Sequence, residues 1–277
     1  MRKVPNHFFD DLTTLTTCCY MKLRNGNVIG FTEYPHDLVI DNLVYCAENS
    51  FKSTSIENTS DVSVDNLEIE GEIDSDMIKR EDLLAGLYDY AYVEIFVVNY
   101  LLPQDGKVIL KSGYIGEVRF CGQRFVVEIR GLSQKLNADI GKYYSPTCRT
   151  NFGSSQCKID LSKYQQQGIV ISLSEDNGIV ADKLVFENNY YLYGLVRFIS
   201  GQNKDLSREI KEVYENTIFL ALDLPYKINV DDKFIITSGC DKQFSTCCER
   251  YNNAINFRGE PAIPGIDEIL KTSGTFK

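Results

Sequence analysis

The residues of this chain best suited to chemistry are two pairs of cysteines. Cys148 and Cys157 are separated by eight residues that include Gly153-Ser154-Ser155, and Cys240 and Cys247 by six. Each lies in a polar segment containing Gly, Ser or Thr. Four thiolates in two pairs supply a complete tetrahedral S4 zinc site or the full ligand set of an iron–sulfur cluster. Structural zinc usually draws on tight knuckles with two to four residues between cysteines. Spacings of eight and six are loose for that, and suit a bulkier cluster. From the residues alone three readings stay open: a metal site, which the polar settings favour; four buried free thiols; and disulfides. Nine cysteines make an odd count. The opening "MRKVPNHFFDDLTTLTTCCYM" has no apolar leader stretch, so a reducing compartment is expected, where clustered cysteines bind metal more often than they form bridges.

Other chemistry is hard to find. His7 and His36 are the two histidines. No H-E-x-x-H, G-x-S-x-G or phosphate-binding P-loop motif occurs, and catalysis is not expected. Cys18, Cys19, Cys46 and Cys121 fall in regular runs and read as small buried hydrophobes. An acidic stretch from Asp61 to Asp82 reads as a solvated face, since no calcium-loop pattern supports a site.

The elements that must position the thiols are mostly strands. "YMKLRNGNVIGFT" is a hairpin turning at Asn25-Gly26, and "NLVYCA", "VSVDNLEIEG", "AYVEIFVVNY", "GKVILKSGYIGEVRF" and "RFVVEIRGL" add β-rich segments. Helices are predicted from about Phe8 to Cys18, over "DSDMIKREDLLAGLYD" and over "SQKLNADI". Past Gly141 come "GIVISLS", "GIVADKLVF", "YYLYGLVRFIS", "SREIKEVYENTIFLAL" and "DKFIITSG", with turns at Asp176-Asn177-Gly178 and Ser200-Gly201. This predicts a compact antiparallel domain with a cysteine pair just outside each edge, then an irregular Pro/Gly arm. The fold class is mainly β (β-rich α+β), with domains at 1–142 and 143–277.

With 277 residues, 43% of them hydrophobic and 25% charged, the chain has the composition of a globular protein. A formal charge of -10 and the lack of a basic stripe argue against a surface that coats nucleic acid. The most apolar stretch, Ala91–Leu102, is too short to span a membrane.

The strings "CRTNFGSSQCKIDL" and "GCDKQFSTCCERYNNAINFRGEPAIPG" resemble the hub proteins of gene transfer agents and related prophage tails. That pattern has two cysteines around a Gly turn, then Val/Ile-Asp-Leu, later Gly-Cys-Asp-Lys, a six-residue cysteine spacing and an Asn-Phe-Arg-Gly…Pro-Gly arm. "GFTEYPHDL", "SVDNLEIEG", "DLLAGLYDYAYVEIFVVNY" and "IRGLSQKLN" match the N-terminal half of the family in order, so the resemblance covers almost the whole chain. It implies a non-enzymatic hub of a tail tip or baseplate, made in the bacterial cytoplasm and carried on the particle. Implied partners are further copies of itself (a trimer), the distal tail ring, a central receptor-binding fibre and a tail peptidase, with DNA as transient cargo. The C-terminal domain of the lambda-type tail-tip protein L is similar in cysteine pattern and holds an iron–sulfur cluster. By position the resemblance implies Cys148, Cys157, Cys240 and Cys247 as ligands of a cluster of 4Fe–4S type, with zinc as the alternative metal and an iron–sulfur oxidoreductase as the rival function. Cys248 stands where the family has a basic or small residue. Glu260 and Ala262 replace a Phe and a His common in the arm, and Tyr34-Pro35 alters the upstream acidic segment.

Overall fold

The computed structural model describes residues 5, 8, 13–47, 52–53, 66–72, 78–121, 124–131, 141–185 and 188–263. The chain divides into two units, Met1–Asp139 and Ile140–Lys277.

The first unit is a nine-stranded sheet. In chain order its strands are β1 (Leu15–Lys22), β2 (Val28–Thr32), β3 (Leu38–Ile40), β4 (Leu43–Cys46), β5 (Lys52–Ser53), β6 (Asn66–Glu72), β7 (Tyr92–Asn99), β8 (Lys107–Cys121) and β9 (Arg124–Arg130). Their spatial order is β3-β4-β2-β1-β7-β8-β9-β6-β5. The Asn25-Gly26 hairpin forms as expected, with Gly26 at φ +92 and Lys22 opposite Val28. Both faces of the central strands are covered. Cys19, Met21, Val93 and Ile95 belong to one buried cluster, while Cys18, Phe96 and Val98 belong to another. The alternation follows from the two-residue period of a strand. Cys18 and Cys19 are fully buried, as expected. Burial pushes the Cys18 thiol up to about 11 and the Cys19 thiol higher still.

The expected helix from Phe8 to Cys18 is not formed over its second half. Leu15–Lys22 is a strand, paired along its whole length with β7. Thr13, Thr14, Thr16 and Thr17 are β-branched, and stiff χ1 angles favour a pleated surface over a helix. Among the described residues of the second expected helix, α1 (Arg80–Leu84) is helical and is followed by Gly86 at φ +75. The helix expected over 133–140, residues 61–65 and 73–77 of the acidic stretch, and the arm beyond residue 263 lie outside the described residues.

The second unit centres on a closed six-stranded barrel of order β10-β11-β14-β13-β12-β15. Its strands are β10 (Gln165–Leu173), β11 (Ile179–Ala181), β12 (Leu195–Phe198), β13 (Ser207–Tyr214), β14 (Thr217–Leu220) and β15 (Lys233–Thr237). Val196, Phe198, Phe234 and Ile236 face inward from neighbouring strands and are fully buried. Gly168 leaves room for Phe234, whose Cζ lies 2.6 Å from where a Cβ would stand. The run expected as strand over "YYLYGLVRFIS" starts instead as a helical turn, α2 (Asn188–Tyr191), before β12. Tyr191 of that turn is buried among the barrel's apolar side chains, and this packing outweighs its strand preference. A last helix, α3 (Phe244–Glu249), follows β15.

Candidate metal centre

Barrel register brings the cysteine pairs together. Antiparallel pairing of β10 with β15 sets Gln165 opposite Thr237. The chain arriving from Cys157 and the chain leaving toward Cys240 therefore run side by side at one end of the barrel. The Ser238 N–H donates to the Tyr164 carbonyl at 2.9 Å and extends this ladder outward. Cys148 is tied in by its own N–H, which donates to the Lys242 carbonyl at 2.9 Å. Lys242 returns the contact, its Nζ donating to the Thr150 carbonyl at 2.7 Å.

The loop from Cys148 to Cys157 is shaped by its small residues. Gly153 has φ +71, and a Cβ there would collide with the Leu161 side chain. Thr150 and Ser154 hydroxyls meet at 2.7 Å, and the Cys157 N–H donates to Ser154 Oγ at 3.3 Å. Asp160 accepts from the N–H and hydroxyl of Ser162, which starts the short 3-10 turn Leu161–Tyr164 leading into β10. In the second pair, Asp241 accepts from the Gln243 N–H at 2.9 Å and the Thr246 hydroxyl at 2.8 Å, fixing the start of α3. Cys247 is buried on that helix. Cys248 follows it about 100° further round and is not on the pocket wall.

Cys148, Cys157, Cys240 and Cys247 all line one pocket, whose other walls include Phe152, Lys242, Tyr251 and Asn253. Its cavity is about 10 Å³, close to the volume of one water-sized sphere. Among the described residues, no three His, Cys, Asp or Glu side chains form a group that could hold a metal ion. An S4 zinc site with Zn–S bonds of about 2.3 Å needs sulfurs about 3.8 Å apart. These thiols thus share a space without closing on a single point. All four are free, so the disulfide alternative does not describe this structure.

Burial pushes the Cys247 thiol up to about 11, and the neighbouring thiols Cys240, Cys148, Cys157 and Cys248 push it the same way. Cys240 is also raised, mainly by burial, while the Lys242 N–H and ammonium act against the rise. Four thiolates in one small pocket repel one another, so deprotonation of the set has to be coupled to binding of a positive group.

Sequence reasoning missed Asn253, which bridges the two pairs. Its Nδ2 donates to the Cys157 carbonyl at 2.7 Å and lies 3.8 Å from the Cys157 sulfur. Its N–H donates to the Cys247 carbonyl at 2.9 Å, and the Cys247 thiol donates to its carbonyl at 3.4 Å. No spacing in "RYNNAINF" singles it out. The aromatic wall was missed too: Tyr251 packs on Phe152 and Tyr164 at ring distances of 4.8 and 5.1 Å, and its hydroxyl donates to the Gly239 carbonyl.

The arm folds back on the first cysteine loop. Arg258 accepts through its carbonyl from the Arg149 N–H at 3.0 Å, and the Glu260 N–H donates to the Ser145 carbonyl at 2.8 Å. The Glu260 carboxylate takes both terminal nitrogens of Arg149, one of them at 2.8 Å, and the Ser145 N–H at 3.0 Å. The hydrogen bond from Arg149, helped by Ser145, holds the Glu260 carboxyl below its ordinary range. The residue that departs from the hub pattern thus closes an internal clamp.

The second unit is thus a β barrel with four thiols lining one pocket at its end. The family model described as baseplate hub protein, N-terminal attachment domain, matches residues 2–160, and the chain belongs to that family. A second family model, phage conserved hypothetical protein BR0599, matches residues 189–267. The first match spans Cys148 and Cys157, the second Cys240 and Cys247. Among solved structures, a chain of the virion of the native gene transfer agent particle is similar over 98% of this chain and 96% of its own. Its TM-score is 0.75 and its identity 29%. No curated protein matches the chain.

Proposed function

We propose that this chain is the structural hub of a phage or gene-transfer-agent tail, at the tip or baseplate, joining the distal tail ring to the central fibre. We further propose that Cys148, Cys157, Cys240 and Cys247 ligate an iron–sulfur cluster of 4Fe–4S type. The observation that carries the hub reading is similarity to a gene-transfer-agent virion chain over nearly the full length of both. The partners that follow are copies of the same chain, the ring, the fibre, a tail peptidase and DNA in transit. The charge of -10 suits a passage through which DNA moves without sticking. Among the described residues, no helix is long and apolar enough to cross a membrane.

The reading is supported by the kind and number of donors: four thiols line one pocket, with the Asn253 amide beside the Cys157 sulfur and Lys242 on the wall. When bound, such a cluster supplies iron–thiolate bonds that join both cysteine pairs into one crosslink. Cys157 and Cys240 then close the barrel between them, which by analogy with a covalent crosslink contributes roughly 4–5 kcal/mol. A second reading places zinc on the same thiols, and the small cavity favours it.

The hub reading is tested in a producing strain. Deleting the gene should leave tails without a tip fibre under the electron microscope, with wild-type complementation restoring it. Tails with intact tips in the deletion strain would sink the assignment.

A further inference from the structure

Away from the thiols, a second cleft of about 300 Å³ is lined by Lys142, Arg149, Gln156 and Arg258. Three of its four walls are cationic, in a chain whose formal charge is -10. They come from three separate segments: Lys142 from the approach to Cys148, Arg149 and Gln156 from the first cysteine loop, and Arg258 from the arm. The backbone bond from Arg149 to Arg258 holds two of these segments together. Glu260 neutralises Arg149, while among the described residues no carboxylate pairs with Lys142 or Arg258. Clustered like charges repel, so the fold retains an arrangement that an incoming anion would stabilise.

We propose that this cleft is a carboxylate-binding site for an acidic side chain or C-terminus of a neighbouring protein in the particle. Guanidinium forks match carboxylates in bidentate fashion, as Arg149 already does with Glu260. With the Arg149 fork engaged by Glu260, the incoming carboxylate is left to the Arg258 fork and the Lys142 ammonium, with the Gln156 amide on the same wall. The volume lies at the lower end for ligand pockets and suits one acidic group rather than a whole helix. A DNA strand is disfavoured, because tracking a phosphodiester backbone takes a row of cations rather than one cleft.

The test is a calorimetric titration of the full chain with a tetraglutamate peptide at low and high salt. Saturable binding is expected, weakening about tenfold or more with added salt, and about tenfold in the double variant Lys142→Ser/Arg258→Ser. Neither side chain has a partner among the described residues, so the variant should keep the far-UV spectrum and Tm of the wild type. Arg258→Lys keeps the charge but loses the fork, and should bind more weakly than wild type. No saturable binding, or a double variant that binds as well as wild type, would overturn the proposal. Tighter binding of inorganic phosphate or of a short single-stranded DNA through the same residues would overturn the carboxylate assignment.

Discussion

Cys247 and Cys248 are neighbours in sequence with different surroundings. Cys247 is buried, lines the pocket with the other three thiols and is hydrogen-bonded to Asn253, whereas Cys248 is half-buried and does not line the pocket. Cys247→Ser should abolish iron and sulfide binding and cost roughly 2–5 kcal/mol of stability in the loaded protein. Cys248→Ser should leave metal content and Tm within error of wild type, and equal losses in the two variants would mean the wrong neighbour has been assigned. Glu260 belongs to the same scale. Its pKa is depressed by Arg149, so the clamp's contribution is present above the unfolded value near 4.5 and is lost as pH falls through the lower folded value. Glu260→Gln should therefore lower Tm at neutral pH, and the gap from wild type should close in strong acid. A gap that persists unchanged there would show that packing, not charge, holds the arm. Tyr34, another departure from the hub pattern, stacks on Tyr100 at 4.5 Å and so serves its own sheet.

At the scale of elements, the first cysteine loop depends on one glycine. Gly153 needs a left-handed backbone and leaves space for Leu161. Gly153→Ala should cost about 1–2 kcal/mol for the backbone alone, more with the collision, and should cut metal uptake. Normal uptake would show that the loop tolerates another shape. In the barrel, Phe234→Ala should cost about 3–5 kcal/mol, measured by denaturant unfolding, and should loosen the β10–β15 ladder that aligns the cysteine pairs. Much of this was legible beforehand. Asn25-Gly26 and Asp176-Asn177-Gly178 fix their turns by local backbone preference, and the barrel strands announce themselves by β-branched runs. The four pocket cysteines could be picked out by polar setting and family pattern. What stayed hidden depends on pairing across the chain: the strand at Leu15–Lys22 rests on β7, and the helical turn at Tyr191 rests on the barrel core. Asn253 gains its role because α3 returns the chain beside Cys157, which no local spacing encodes.

At the scale of the whole molecule, membership of the baseplate hub family and similarity to a virion chain mark a structural protein of a phage tail or gene-transfer-agent particle. Rigidity at the barrel's end suits that role, and a crosslink between the cysteine pairs would supply it without enlarging the core. The account stands or falls on the identity of that crosslink. The measurement that tests it is iron, zinc and acid-labile sulfide per chain on protein purified without oxygen. About four iron and four sulfide per chain, lost in Cys247→Ser, is the predicted result for a 4Fe–4S cluster. One zinc without sulfide would keep the staple and contradict the cluster, and neither metal would contradict the metal-linked barrel altogether.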